Sequence, residues 1–224
     1  MIFKNISYLD DILAFIKKLL YIYIMTIAII TADLVNSRAQ QPQLWMTHLK
    51  TILNSFGSTP KNWEIYRGDS FQLEIEPQRA LYTAIVIKAY LKYTANLDLR
   101  IAIGIGDKTY NSDTITSSNG TAFINSGTCF ESLKKNLLAI KTAHIDLDNT
   151  LNLMFYLASF TFNNWTQTTA QLIAYTLTHP NKNQKQLASH FETTQGNISQ
   201  SLKRGGYDEL KALIQYYESK LKAI

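Results

Sequence analysis

Along most of the chain, apolar positions come in short blocks whose period switches between two residues and about 3.6. Ile27 to Thr31 is an apolar run rich in β-branched residues, which predicts a buried strand. Leu44, Trp45, Leu49, Ile52, Leu53 and Phe56 have helical spacing, and Gly57 and Pro60 close that helix. Trp63 to Tyr66 and Phe71 to Ile75 read as two strands, with Arg67-Gly68-Asp69-Ser70 as the hairpin between them. Pro77 opens a helix that runs to about Tyr93, and Leu99 to Ile105 alternates as a further strand ending at Gly106-Asp107. Residues 107–121, rich in Ser, Thr, Asn and Gly, form a loop. A helix follows from Ala122 to about Ile140, with a last strand around Ala139 to Leu147.

The predicted order is strand, helix, strand, strand, helix, strand, helix. This is the split βαβ pattern of an α+β, ferredoxin-like sheet domain, here residues 25–150, with helices on one face of a mostly antiparallel sheet. From Leu151 the pattern becomes wholly helical, so residues 151–224 read as an all-α domain. Leu151 to Phe162 and Trp165 to Leu177 are two helices, and His179-Pro180-Asn181 ends the second. No flexible linker separates the two parts, so the helices are expected to pack directly on the sheet.

The helical part contains a helix-turn-helix pattern. Leu187, Phe191, Ile198 and Leu202 supply an apolar seam between two short helices, and Ala188 leaves room where they cross. Thr194 is placed to cap the second helix. That helix turns Gln195, Asn197, Ser199, Gln200, Lys203 and Arg204 outward. Amide side chains can pair bidentately with adenine and basic ones can hold phosphates, so the expected partner is double-stranded DNA. Glu192 stands where such turns usually carry Gly, which predicts a less sharp turn with a carboxylate near the DNA backbone. The alternative is a helical hairpin that binds protein. Tyr207 to Leu221 is amphipathic, and either pairs with a second copy to make a homodimer or packs within its own domain.

Charge adds modest support. The chain of 224 residues carries a formal net charge of +5. From Asn164 onward six Lys and one Arg face three Glu and one Asp, a net of +3. A basic excess is compatible with nucleic acid without requiring it. The single cysteine, Cys129, cannot form an internal disulfide, no Cys/His spacing suits zinc, and a reducing cytoplasm is the natural compartment. Leu19 to Ile30 is an apolar run of 12 residues, short of the ~20 that a membrane span needs. Met25 stands directly before the first strand. Residues 1–24 therefore read as an extension upstream of the true start, helical and amphipathic if translated; a membrane tether is supported by nothing else.

Two aspartates carry the candidate chemistry of the sheet domain. Asp33 ends the first strand and Asp69 lies in the hairpin, and the split βαβ topology sets those positions side by side. Two such carboxylates can hold a divalent cation and, through it, triphosphate oxygens. The bland alternatives are a cap residue and a turn residue.

The segments Ile30-Thr31-Ala32-Asp33-Leu34-Val35-Asn36-Ser37, Arg67-Gly68-Asp69-Ser70-Phe71 and Arg100-Ile101-Ala102-Ile103-Gly104-Ile105-Gly106 resemble successive motifs of class III nucleotide cyclases. Gly120-Thr121-Ala122-Phe123 resembles the start of that family's next helix. The resemblance implies Asp33 and Asp69 as ligands of Mg²⁺ bound with a nucleotide. Asn36, Ser37 and Arg38 after the first aspartate, and Arg67 and Gly68 before the second, become candidate nucleotide-binding residues. The likeness breaks at the next helix, where the family carries an Asn and, four residues on, an Arg. Ile124 and Thr128 stand there, Asn125 is one place off, and no Arg follows. Cyclisation would lack its charge-stabilising donor, which argues against an enzyme. From Met25 onward the chain more closely resembles the bacterial SatD family, through Trp63 to Gln72 and Ile198 to Arg204. The resemblance implies a cyclase-like domain joined to a C-terminal helix-turn-helix, hence a DNA-binding regulator. The competing expectation is a Mg²⁺-dependent nucleotidyl cyclase or polymerase-like transferase using Asp33 and Asp69.

Overall fold

The computed structural model describes residues 26–133 and 137–223, so the expected extension 1–24 lies outside it. The first strand, β1, is Thr26–Val35, longer than its apolar run because polar Thr31 and Asp33 point to one face and Ala32 and Leu34 to the other. A 3₁₀ turn (Ser37–Ala39) leads to α1 (Pro42–Asn54), which opens with Pro in the first turn, where its missing N–H is not needed. Strands β2 (Trp63–Tyr66) and β3 (Ser70–Ile75) form the hairpin. A 3₁₀ turn (Pro77–Arg79) then feeds α2 (Ala80–Ala95), and β4 spans Asp98–Asp107. Helix α3 is Thr121–Ser132 and β5 is Leu138–Lys141, both shorter than the sequence pattern suggests.

The fold is α+β with a five-stranded mixed sheet in the order β2-β3-β1-β4-β5. All pairs are antiparallel except β4 with β5. One face is apolar throughout. Ala28, Ile30, Ala32 and Leu34 of β1, Phe71 and Leu73 of β3, and Leu99, Ile101 and Ile103 of β4 pack there with buried residues of α1 and α2. Full burial of each large side chain stabilises by about 1.5–3 kcal/mol.

The expectation that helices cover only one face is incorrect. Helix α3 lies on the opposite face, against β1 and β4. Gly104 makes this possible. A Cβ there would sit 2.2 Å from the Ser126 amide nitrogen and 2.3 Å from the Ala122 carbonyl oxygen, so the helix backbone rests directly on the strand. Ile27 and Ile29 pack there with Ile115, Ala122 and Phe123, while the end near Asp33 and Arg100 is polar and only partly covered.

The remaining helices are α4 (Ile145–Phe162), α5 (Gln167–Thr178), α6 (Gln184–His190), α7 (Gln195–Gly205) and α8 (Tyr207–Leu221). The boundary expected at 150 falls inside α4, which begins six residues earlier than its apolar pattern. Helix α5 packs on α2, and one continuous apolar core runs from the sheet through to Leu221. The apolar side of α8 is spent within the chain. Leu210, Ile214, Tyr217 and Leu221 are buried, and the Tyr217 hydroxyl donates to the Pro77 carbonyl at 2.8 Å. That side is therefore not free to face a second copy. No helix among the described residues is long and apolar enough to cross a membrane.

Candidate functional site

Two places hold the residues singled out from the sequence: the end of the sheet near Asp33, and the outer face of α7.

At the sheet end, Asp33 lies directly between Ser70 of β3 and Arg100 of β4. Asp69 sits in the hairpin loop, and its carbonyl accepts from the Leu34 amide at 3.3 Å. The loop is tight because Arg67 and Gly68 both take positive φ, 52° and 89°. The two aspartates are thus neighbours, as the topology required, but each carboxylate already has a partner. Arg100 clamps Asp33 with two hydrogen bonds, Nε to Oδ1 at 2.9 Å and Nη2 to Oδ2 at 2.5 Å. This bidentate geometry is the strongest form of such a pair. Its first effect is to raise the Arg100 pKa, with burial opposing and the charges of Asp33 and Asp69 adding. Ser37, buried at the start of the 3₁₀ turn, donates its hydroxyl to the Asp69 carboxylate. Asn36, in the left-handed conformation at φ 60°, turns the chain so that Ser37 points inward; Asn36 and Arg38 are exposed.

A cleft of about 590 Å³ runs beside this cluster on the face that α3 leaves partly open. Its lining includes Tyr66, Arg67, Gln72, Arg100, Thr116 and Phe130. The Arg100 guanidinium lies 5.0 Å from the centre of the Phe130 ring, and that of Arg67 lies 6.0 Å from the centre of Tyr66. Burial raises the Tyr66 pKa, with Arg67 opposing and Asp33 adding. The cyclase-type positions on α3 do not serve this cleft. Ile124 and Thr128 are exposed, Thr128 bonds back to the Ile124 carbonyl, and the Asn125 amide donates to the Ile105 carbonyl at 2.8 Å. Cys129 is buried and its thiol is pushed up to about 12, chiefly by burial, so it is an inert core group.

At the other place, α6 and α7 are joined by four residues, 191–194. Glu192 adopts φ 49°. The Thr193 amide reaches the Ala188 carbonyl at 2.9 Å and the Glu192 amide reaches Ser189 at 3.4 Å. These are the paired bonds of a Schellman turn, so the turn is tight despite the missing glycine. A non-glycine residue in that conformation costs about 1 kcal/mol. Both helices are capped: Asn183 and Gln186 form a capping box on α6, and Thr194 accepts the Asn197 amide on α7. Leu187, Ala188, Ile198 and Leu202 are buried between the helices, and Phe191 packs at the edge.

The six outward residues of α7 all prove exposed: Gln195, Asn197, Ser199, Gln200, Lys203 and Arg204. Two are partly engaged locally. The Asn197 amide donates to Thr193 Oγ1 at 3.1 Å, and Arg204 donates to Ser201 Oγ at 3.1 Å. The last turn of α7 is fixed from below, where the Trp165 indole donates to the Gly205 carbonyl at 3.0 Å. Tyr175 of α5 lies between two histidine rings, His179 and His190, each stacked with its centre 4.0 Å away. This stack ties α6 to α5.

Sequence reasoning missed Arg100 as the partner of Asp33. The available signal was strand parity, since opposed positions on adjacent strands share a face. By architecture this is an α+β protein with a helical C-terminal part that presents an open polar helix face. A scan against protein-family models gives no match, and searches of curated proteins and of solved structures give none either.

Proposed function

We propose that the chain is a DNA-binding regulatory protein, in which α6 and α7 form a helix-turn-helix and α7 enters the major groove. In this reading β4-β1-β3-β2 is a ferredoxin-like, cyclase-like sheet with a sensing or scaffolding role. The observation that carries it is the outer face of α7, where amides and two basic groups are exposed while the inner face is fully buried. Amides suit base edges, Lys203 and Arg204 suit phosphates, and the N-terminal end of the helix is open. The tight turn and both caps support the geometry.

The test is binding of labelled duplex DNA followed by anisotropy at several salt concentrations. Replacing Lys203 and Arg204 together by Ala should reduce the steepness of the salt dependence by about two counterions and weaken binding at low salt. Absence of detectable affinity for any duplex at low salt removes the proposal.

A second reading has one observation in its favour, the adjacency of Asp33 and Asp69 beside a cleft. Two carboxylates with the Ser37 hydroxyl form a hard oxygen set of the kind Mg²⁺ accepts. As placed, the set does not fit a cation, because Arg100 already neutralises Asp33 and its guanidinium occupies both oxygens. Of the candidate nucleotide-binding residues, Arg67 lines the cleft, whereas Asn36 and Arg38 are exposed beside it.

A further inference from the structure

Glycine weakens a helix relative to alanine, because it has more backbone freedom to lose on folding. Most glycines of this chain are required by the fold itself. Three of the nine take positive φ, and a Cβ on four others would fall closer than 3.0 Å to a neighbouring atom. Gly127 and Gly196 do neither. Gly127 lines the cleft beside α3. Gly196 stands exposed in the first turn of α7, where a Cβ would find Thr194 Oγ1 at 3.9 Å, an ordinary contact, and nothing closer. Alanine would fit there and hold the helix better, so the fold gives no reason for glycine at this position.

Its place on the helix does. Residues advance by about 100° per step around an α-helix. Ile198, Leu202 and Gly205 mark the buried side of α7. Gly196 and Gln200, one turn apart, come nearest to the opposite side, within about 30° of it. Lys203 and Arg204 stand about 50° to either side of that line, whereas Gln195, Asn197 and Ser199 lie more than about 70° away. Asn197 is also turned back onto Thr193 Oγ1, at 3.1 Å. No Asp or Glu occurs on α7.

We infer that α7 lies on duplex DNA along the Gly196–Gln200 line, with Gln200 reading an adenine; this rests on the DNA-binding reading of the helix. The bare backbone at Gly196 lets the first turn come closer to the duplex than any side chain would allow. Gln200, one turn further along the same line, then reaches a base edge, where its amide pairs bidentately with adenine N6 and N7. Lys203 and Arg204 fall towards the two walls of the groove and meet phosphates there. Gly196 sets how deep the helix sits, and Gln200 sets which base it meets.

Selection from duplexes with a randomised centre tests the inference. The full chain, Gly196→Ala, Gly196→Ser and Gln200→Ala are compared, with anisotropy on the enriched duplex and thermal unfolding of each protein. Gly196→Ala should leave Tm equal or about 1–3 °C higher, while weakening binding about tenfold on enriched and unselected duplexes alike. Gln200→Ala should weaken binding to the enriched duplex about tenfold and lose the fixed adenine from its own enriched set. An adenine analogue lacking N7 at that place should weaken the parent and leave Gln200→Ala unaffected. If one Gly196 variant unfolds, the other decides. The inference is overturned if the folded Gly196 variants bind as tightly as the parent, or if Gln200→Ala enriches the same sequences. A parent that binds no duplex removes the DNA-binding reading itself; a parent that binds while its variants match it removes only this line of contact.

Discussion

The sheet end and the outer face of α7 both hold polar and basic side chains, but in opposite states. At the sheet end both aspartates and two of the arginines meet a neighbour: Arg100 clamps Asp33, Ser37 holds Asp69, and Arg67 leans on Tyr66. On α7 the amides and the basic groups stand in solvent, with only weak local bonds. A group that is internally satisfied gains little from a ligand, because binding must first break the existing bond. A group left open loses only water. Pairing carboxylates with donors gives a closed structure at one end, and donors and amides without carboxylates leave an available surface at the other.

Four experiments break or sharpen this contrast. Gly104→Ala should have the largest effect. The new Cβ meets the backbone of α3, so the helix must lift, at about 3 kcal/mol, lowering Tm by roughly 6–12 °C. Little change in Tm would mean that α3 is loosely held and that the cleft beside it is deformable. Arg100→Ala comes next. It leaves Asp33 without its cation, but the pair is partly exposed, so the loss should be about 1–2 kcal/mol by denaturant titration. Isothermal titration of this variant with Mg²⁺ sharpens the contrast, because heat seen only after the clamp is removed would identify Arg100 as the element closing the site.

Glu192→Gly should raise stability by about 0.5–1 kcal/mol, since glycine accepts φ 49° without strain. A loss of stability would show that the Glu192 side chain does more than fill the turn. The smallest effect concerns Cys129. Burial favours its protonated form, so this contribution to stability is complete below the ordinary value of 9.0 and fades as pH rises towards about 12. At pH 8 iodoacetamide should label it only as fast as the fold opens; rapid labelling of native protein would show an open α3 face.

Much of the architecture was legible from apolar spacing. Each β-strand and α-helix of the described residues overlaps a segment that its apolar spacing or the helix-turn-helix pattern placed, because amphipathic burial drives both the pattern and the packing. The ends of α3, β5 and α4 fall elsewhere. The errors have physical causes. The extra face covered by α3 was encoded in Gly104 and Ala102, small residues that read as an unremarkable strand unless close backbone approach is considered. The early start of α4 at Ile145 was hidden because its first turn carries exposed Asp146 and buried Asp148, which accepts the Thr142 amide; both favour a helix N-terminus without adding to the apolar repeat. The adjacency of Asp33 and Asp69 followed from topology, whereas the Arg100 clamp needed the register of β1 on β4. Glu192 breaks the glycine expectation at its turn, and only the hydrogen bonds of the Schellman geometry show that the turn is kept.

The unbroken core running from β1 to Leu221 has an evolutionary consequence. A domain with its own core and a linker can be exchanged between proteins as a cassette. Here α5 lies on α2, Tyr217 is tied to Pro77 and Trp165 to Gly205, so cutting the chain anywhere between them would expose apolar surface on both pieces. The shared core disfavours exchange of the helical part as a unit. Point substitution on the outer face of α7 stays open, since those positions touch almost nothing. On the DNA-binding proposal, such a chain can change its target one residue at a time while its architecture stays fixed.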